Sequence, residues 1–273
     1  MTLPSSFQFS QASLTDYADC PRRFQLRYVL EQEWPAVESE PLVERERLAD
    51  LGRRFHRLVQ QHVFGLPVEP LTRAADADPD LARWWGNYLR LGIGDWRLST
   101  DGKSLPPDRR AEVALSVPFG AHRLVAKYDL LASGDGRAVI VDWKTERKRA
   151  DRASLLRRLQ TRVYRYVLAR SEPSLAPESI EMVYWIAEYP SEPEVLAYDS
   201  AQLADDEIYL YRLLSDIESR AEAVWPLTPD ERKCRFCTYR SLCERGVAAG
   251  IASPHEIDMD LEIDLEEIDE IAY

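Results

Sequence analysis

Asp142 and Lys144 stand two residues apart at the end of an apolar run, AVIVDWKTE, that reads as a strand. Side chains two apart on a strand leave by the same face, which puts a carboxylate beside an ammonium. That pair suits phosphoryl chemistry. The carboxylate binds a hard divalent cation, and the ammonium orients a water or steadies charge developing on the phosphate. Alone, Asp-x-Lys is a weak signal, because such strand-end pairs are more often solvated surface. Asp129 strengthens it: in RLVAKYDLLA it is flanked by Leu130 and Leu131, where an unpaired buried charge is costly and a shared cation would compensate it. His56 closes a Gly-x-x-x-His run that starts at Gly52. Imidazole ligates Mn²⁺, although a lone helical histidine is more often a surface or core residue. Glu112, one strand before Asp129, would add a direct or outer ligand. Gln160 and Tyr164, four apart on the helix after the Asp-x-Lys strand, share one helix face.

The four cysteines fall in a one-plus-three pattern: Cys20, then Cys234, Cys237 and Cys243 in a C-x2-C-x5-C spacing. Four thiolates suit Zn²⁺ or an iron–sulfur cluster. Structural zinc sites usually come as two close pairs, which this pattern does not match, but the residues alone leave both centres open. Either centre would tie the chain ends together, and closing so long a loop removes much unfolded-state entropy.

These positions need elements to hold them. Ser10 is placed to cap a helix through Leu14 and Tyr17, Pro21 interrupts it, and Arg22 to Val29 reads as a second short helical piece. Glu33 to Pro41 is loop-like. Leu42 to Val63 has helical periodicity, Pro67 to Pro79 reads as a link, and Leu81 to Leu91 as a helix. Ala111 to Val117, Arg123 to Ala132 and Arg137 to Trp143 then form a three-strand meander with Gly-containing turns. A basic helix follows over Ala153 to Ala169, then strands at Ser179 to Glu188 and Glu194 to Tyr198, and a long helix over Gln202 to Val224. Helices around a mixed sheet make an α/β core.

Length and composition are those of a soluble globular protein: 273 residues, 45% hydrophobic and 30% charged. The apolar runs are too short for a membrane span, and the N-terminus lacks the features of a secretory signal, so a cytoplasmic location is expected. The net charge is −12, but the segment from Pro254 onward holds nine acids and no Lys or Arg, which leaves −3 for the body. Within that body Arg147, Lys148, Arg149, Arg152, Arg157, Arg158, Arg162 and Arg165 cluster after the Asp-x-Lys strand, a composition suited to a phosphate backbone. Two regions are expected, a body over 1–253 and an acidic tail over 254–273. In the tail, Ile257, Met259, Leu261, Ile263 and Leu265 alternate with acids. It reads as a docking peptide for a partner, a strand folding over the basic groove, or a solvated tail.

In this order, Gly-x-x-x-His, a strand Asp, Asp-x-Lys and Gln-x-x-x-Tyr resemble the PD-(D/E)XK nuclease superfamily in its RecB-like branch. With Cys20-Pro21-Arg22-Arg23-Phe24 and C-x2-C-x5-C added, the chain resembles that branch's iron–sulfur members. These include the AddB nuclease domain and the four-cysteine CRISPR-associated adaptation nucleases. The resemblance spans Leu14 to Cys243 and implies a restriction-endonuclease-like core, a mixed central sheet flanked by helices, with the chain ends tied by the cluster. His56, Asp129 and Asp142, with the Trp143 carbonyl, would hold Mg²⁺ or Mn²⁺. Lys144 would position the attacking water, Gln160 and Tyr164 would support the substrate, and Cys20, Cys234, Cys237 and Cys243 would bind a 4Fe–4S cluster. Ala126 is a departure, standing where members often have Gly. The implied activity is cleavage of DNA at single-stranded ends or overhangs, in recombination and repair or in CRISPR adaptation. The chain carries no Gly-x-x-x-x-Gly-Lys-Ser/Thr phosphate loop, so strand separation would need a helicase or adaptation-complex partner. The rival reading is a catalytically silent iron–sulfur DNA-binding scaffold, against which the retention of His56, Asp129, Asp142 and Lys144 argues.

Overall fold

The computed structural model describes residues 3–4, 6–32, 40–91, 102–146, 149–221 and 223–247. The acidic tail, Arg147, Lys148 and residues 33–39 of the expected loop lie outside the described residues. The meander is present: β2 (Asp108–Phe119), β3 (His122–Gly134) and β4 (Arg137–Lys144) pair antiparallel. Its second hairpin turns at Asp135 and Gly136, both with left-handed φ (52° and 71°), the conformation a tight two-residue turn demands. β4 pairs parallel with β5 (Ile180–Ile186), which pairs antiparallel with β6 (Glu194–Ala197). A short strand absent from the sequence reading, β1 (Gln8–Ser10), lies parallel to β3. The sheet is therefore mixed.

Both faces are covered. On one, α1 (Gln11–Asp19), α7 (Leu159–Ser171) and α8 (Ser200–Glu218) bury Leu14, Tyr17, Val163, Val167, Leu210 and Leu214. On the other, α3 (Glu40–Val63), α4 (Val68–Ala75) and α5 (Pro79–Arg90) bury Phe55, Leu71, Trp84, Trp85 and Tyr88. This is the expected α/β core with a central mixed sheet flanked by helices. Among the described residues no helix is long and apolar enough to cross a membrane.

Four helical expectations need correction. Ser10 does cap α1, through a reciprocal box with Ser13, but beyond Pro21 the helix α2 (Pro21–Phe24) loosens into a π turn over Gln25–Val29. The 67–79 link contains α4, whose buried stripe of Leu71 and Ala75 is masked in sequence by flanking Pro and Asp. The basic helix is two helices, α6 (Arg152–Arg157) and α7, because Arg158 adopts φ −59°, ψ 137° between them. The last helix stops at Glu218 rather than Val224. There Gln25 accepts the Trp225 N–H (2.9 Å) and donates to the Ala223 carbonyl (3.0 Å), while Pro226 accepts from Arg22 N–H (3.1 Å), which draws the chain out of helix.

One irregularity of the sheet positions everything that follows. β2 covers one edge of β3; the other edge is shared by β4, over 130–134, and β1, over 123–125. Neither ladder covers 126–129 on that edge. In the same stretch the strand alternation breaks: Tyr128 packs in one core and Leu130 in the opposite one, although residues two apart normally share a face. Across the ladder Glu112 has φ 55°, left-handed in mid-strand. Asp129 and Glu112 thus sit opposite one another where the ribbon exchanges its faces and β4 departs from β3.

Candidate active site

The gap between β3 and β4 draws residues from both helical layers. From the α3 side, His56 Nδ1 lies 3.2 Å from Asp129 Oδ1. The other oxygen, Oδ2, accepts the Trp143 N–H at 2.8 Å, so the carboxylate fills the place a β3 carbonyl would hold in a continued ladder. On β4 the next residue, Lys144, turns its carbonyl to β5 by accepting the Ala187 N–H. Alternation therefore points the Trp143 carbonyl back into the gap, beside Asp129.

His56, Glu112 and Asp129 each offer a ligand atom, and these lie within 4.8 Å of one another. Asp142 is not in this close trio. Its carboxylate is held on the α7 side, by Lys144 Nζ at 3.2 Å and by Gln160 Nε2, which donates at 2.9 Å. Asp142 and Lys144 are nearly fully buried, at 2% and 6% exposure, so the bland reading of a solvated strand end fails. Gln160 also lies 3.5 Å from the Tyr164 hydroxyl, and the Tyr164 carbonyl accepts from Tyr128. Each expected active-site residue is therefore at this gap, in two linked groups.

The charges compensate one another. Burial lowers the pKa of His56, but the charge of Asp129 and its hydrogen bond outweigh that and raise it overall. Burial acts to raise Asp129; His56, the Trp143 N–H and Lys144 together bring it below the usual carboxylate range. Glu112 is pushed up by burial and by Asp129, against the pull of Lys127, whose Nζ lies 2.9 Å from Oε2. Tyr164 is raised by burial and by Asp142 and Asp129.

The sequence reading missed several members. Lys127 precedes Asp129 by two residues, a spacing that signals proximity. Tyr184 is the register partner of Asp142 on β5. Its hydroxyl contacts Thr161 Oγ1 at 2.8 Å and Gln160 Oε1 at 3.4 Å, and its ring lies near both Lys144 Nζ (5.9 Å) and the Arg158 guanidinium (5.8 Å). Only strand pairing reveals this role.

The four cysteines come together at a second place in the fold. Cys20 joins α1 to α2, Cys234 lies in the turn Glu231–Phe236, and Cys243 closes the turn Arg240–Cys243. All four line one pocket together with Arg23, Lys233, Arg240 and Arg245. They are unpaired as disulfides, with Cys20 and Cys234 buried. Burial pushes the Cys237 and Cys243 thiols up, and the neighbouring cysteines add to it. Lys233 Nζ reaches Asp19 Oδ1 at 2.7 Å, a further link between the chain's two ends.

Residues 8–244 match the sequence model of the PD-(D/E)XK nuclease superfamily. The chain belongs to that superfamily. Among solved structures it is similar to a "Putative exonuclease" from Eubacterium rectale, with TM-score 0.50 and 12% identity over 90% of this chain and 91% of the other. It is also similar to SSO0001, with TM-score 0.39 and 14% identity over 91% and 90%. A search among curated proteins gave no match. The matched residues 8–244 include the strand gap, with Asp142 and Lys144 on β4.

Proposed function

We propose that this PD-(D/E)XK chain is a Mg²⁺- or Mn²⁺-dependent deoxyribonuclease acting on single-stranded ends or overhangs, with a 4Fe–4S cluster at its four cysteines. The observation that carries the reading is the convergence of His56, Glu112 and Asp129 at the strand gap, directly beside the buried Asp142–Lys144 pair. The donor set, one imidazole and carboxylates with the Trp143 carbonyl, fits Mn²⁺ well and Mg²⁺ through its oxygens. A divalent ion bound there would supply Lewis-acid stabilisation of charge on the phosphate oxygens.

The chain's own residues do the rest. Lys144, held by Asp142 and packed near Tyr184, presents an ammonium that orients a water for attack on phosphorus. Gln160 fixes the Asp142 carboxylate, and Tyr164 supports the substrate side of the same helix face. Of the arginines between β4 and α7, Arg157 is exposed and suited to backbone phosphates, while Arg149 and Arg152 meet Glu194, and Arg158 meets Glu146. The cell location proposed is cytoplasmic. The pathway is recombination and repair or CRISPR adaptation, with a helicase or adaptation-complex partner where strand separation is needed.

For the cysteines, the support is that all four line one pocket and that their one-plus-three spacing differs from the two close pairs usual in structural zinc sites. The cluster's proposed role is structural.

The test uses anaerobically purified protein, assayed for iron and zinc and then incubated with end-labelled single-stranded DNA and Mn²⁺. Cleavage that EDTA stops, and that Asp142→Ala and Lys144→Ala each reduce by roughly 10²- to 10³-fold, is expected, the scale of losing a charge-stabilising group. Full cleavage by both variants would sink the site assignment.

A further inference from the structure

Glu112 and Asp129 face each other across the β2–β3 ladder, an arrangement that like charges disfavour. Each carboxylate has its own nitrogen partner: His56 Nδ1 for Asp129 at 3.2 Å, and the Lys127 ammonium for Glu112 at 2.9 Å. The two partners differ in freedom. His56 is fixed on α3 with 13% of its side chain exposed, whereas the Lys127 side chain is 33% exposed and carries its charge on a flexible four-carbon stem. Glu112 in turn holds its position through a left-handed backbone that an L-residue adopts only under constraint. A divalent cation seated among His56, Glu112 and Asp129 would compensate both carboxylates and repel the ammonium at the same time.

We propose that Lys127 is a built-in competitor for the metal site: its ammonium occupies Glu112 in the metal-free protein and must leave when the cation binds. This rests on the metal-dependent reading above. The competition holds metal affinity down, and the displaced ammonium stays tethered at the rim of the site, within reach of a phosphate oxygen. DNA that draws Lys127 away would then favour metal loading.

The experiment is calorimetric titration of Mn²⁺ into the EDTA-treated, dialysed full chain without DNA. Lys127→Met should tighten Mn²⁺ binding by roughly tenfold, the scale of one half-buried charge acting on a dication a few ångströms away. Lys127→Arg, which keeps the charge, should stay near the unsubstituted protein. Glu112→Gln should weaken binding, and adding Lys127→Met to it should restore nothing, because the contested carboxylate is gone. Unchanged or weaker affinity in Lys127→Met overturns the proposal while leaving the metal site standing. Equal tightening in the Glu112→Gln background also overturns it, since the effect would then be general charge rather than competition for Glu112. If the unsubstituted chain takes up no Mn²⁺, the metal reading itself falls, and the competitor with it.

Discussion

Glu112 is a glutamate where the backbone asks for glycine. Its φ of 55° costs an L-residue about 1–2 kcal/mol, and nothing in the local sequence, an ordinary strand pattern, requires the turn. The residues gained by the distortion are Glu112 and Asp129, brought within ligand distance of His56. Strain of this kind persists where surrounding structure over-determines it, and an active site is where it is useful. Comparing Glu112→Gly with Glu112→Ala isolates the backbone term, because both remove the carboxylate. Glycine normally weakens a strand relative to alanine. Here the order should reverse, with Glu112→Gly more stable by about 1 kcal/mol, a melting difference of roughly 2–4 °C for a chain of this size. A glycine variant that melts below the alanine variant would show that Glu112 carries no backbone strain.

At the level of elements, the meander, the Asp-x-Lys strand and the following helix were legible because each has a clean period and a Gly-bearing turn. What the sequence concealed were interruptions. Arg158 breaks the basic helix by its extended backbone without a Pro or Gly to announce it. The face exchange at Asp129 and the role of Tyr184 depend on strand register, which a single strand's pattern does not encode. β1 is three residues long, too short for any period. The cysteine spacing, by contrast, signalled its geometry well: four thiols from opposite chain ends do line one pocket. With a cluster in that pocket, Cys237→Ala should lose the iron, expected near four per chain in the unsubstituted protein. It should also destabilise by about 5 kcal/mol on the chain-entropy estimate for so long a loop. Iron content measured beside a denaturant melt checks this, and full iron with an unchanged midpoint would remove the structural cluster.

For the whole molecule, charge is unevenly divided: nine of the 47 acids lie in residues 254–273, and the rest of the chain is close to neutral. A near-neutral body rich in arginine after the Asp-x-Lys strand, with Arg157 exposed, can attract phosphate locally, while an acidic segment tethered to the same chain opposes the approach of any polyanion. Two effects of that segment are distinguishable. If it acts on DNA through its field or by occupying the basic groove, deleting 254–273 should tighten binding of single-stranded DNA by roughly three- to tenfold at about 50 mM salt. The gain should shrink toward nothing at about 0.5 M, as the screening length falls below about 5 Å. Fluorescence anisotropy with EDTA-treated protein measures this without cleavage, and the rate at saturating DNA with Mn²⁺ restored should not change. If the segment instead serves only to dock a partner protein, the truncated chain should bind DNA as the full chain does at every salt concentration. That second result would move the acidic segment out of substrate recognition altogether.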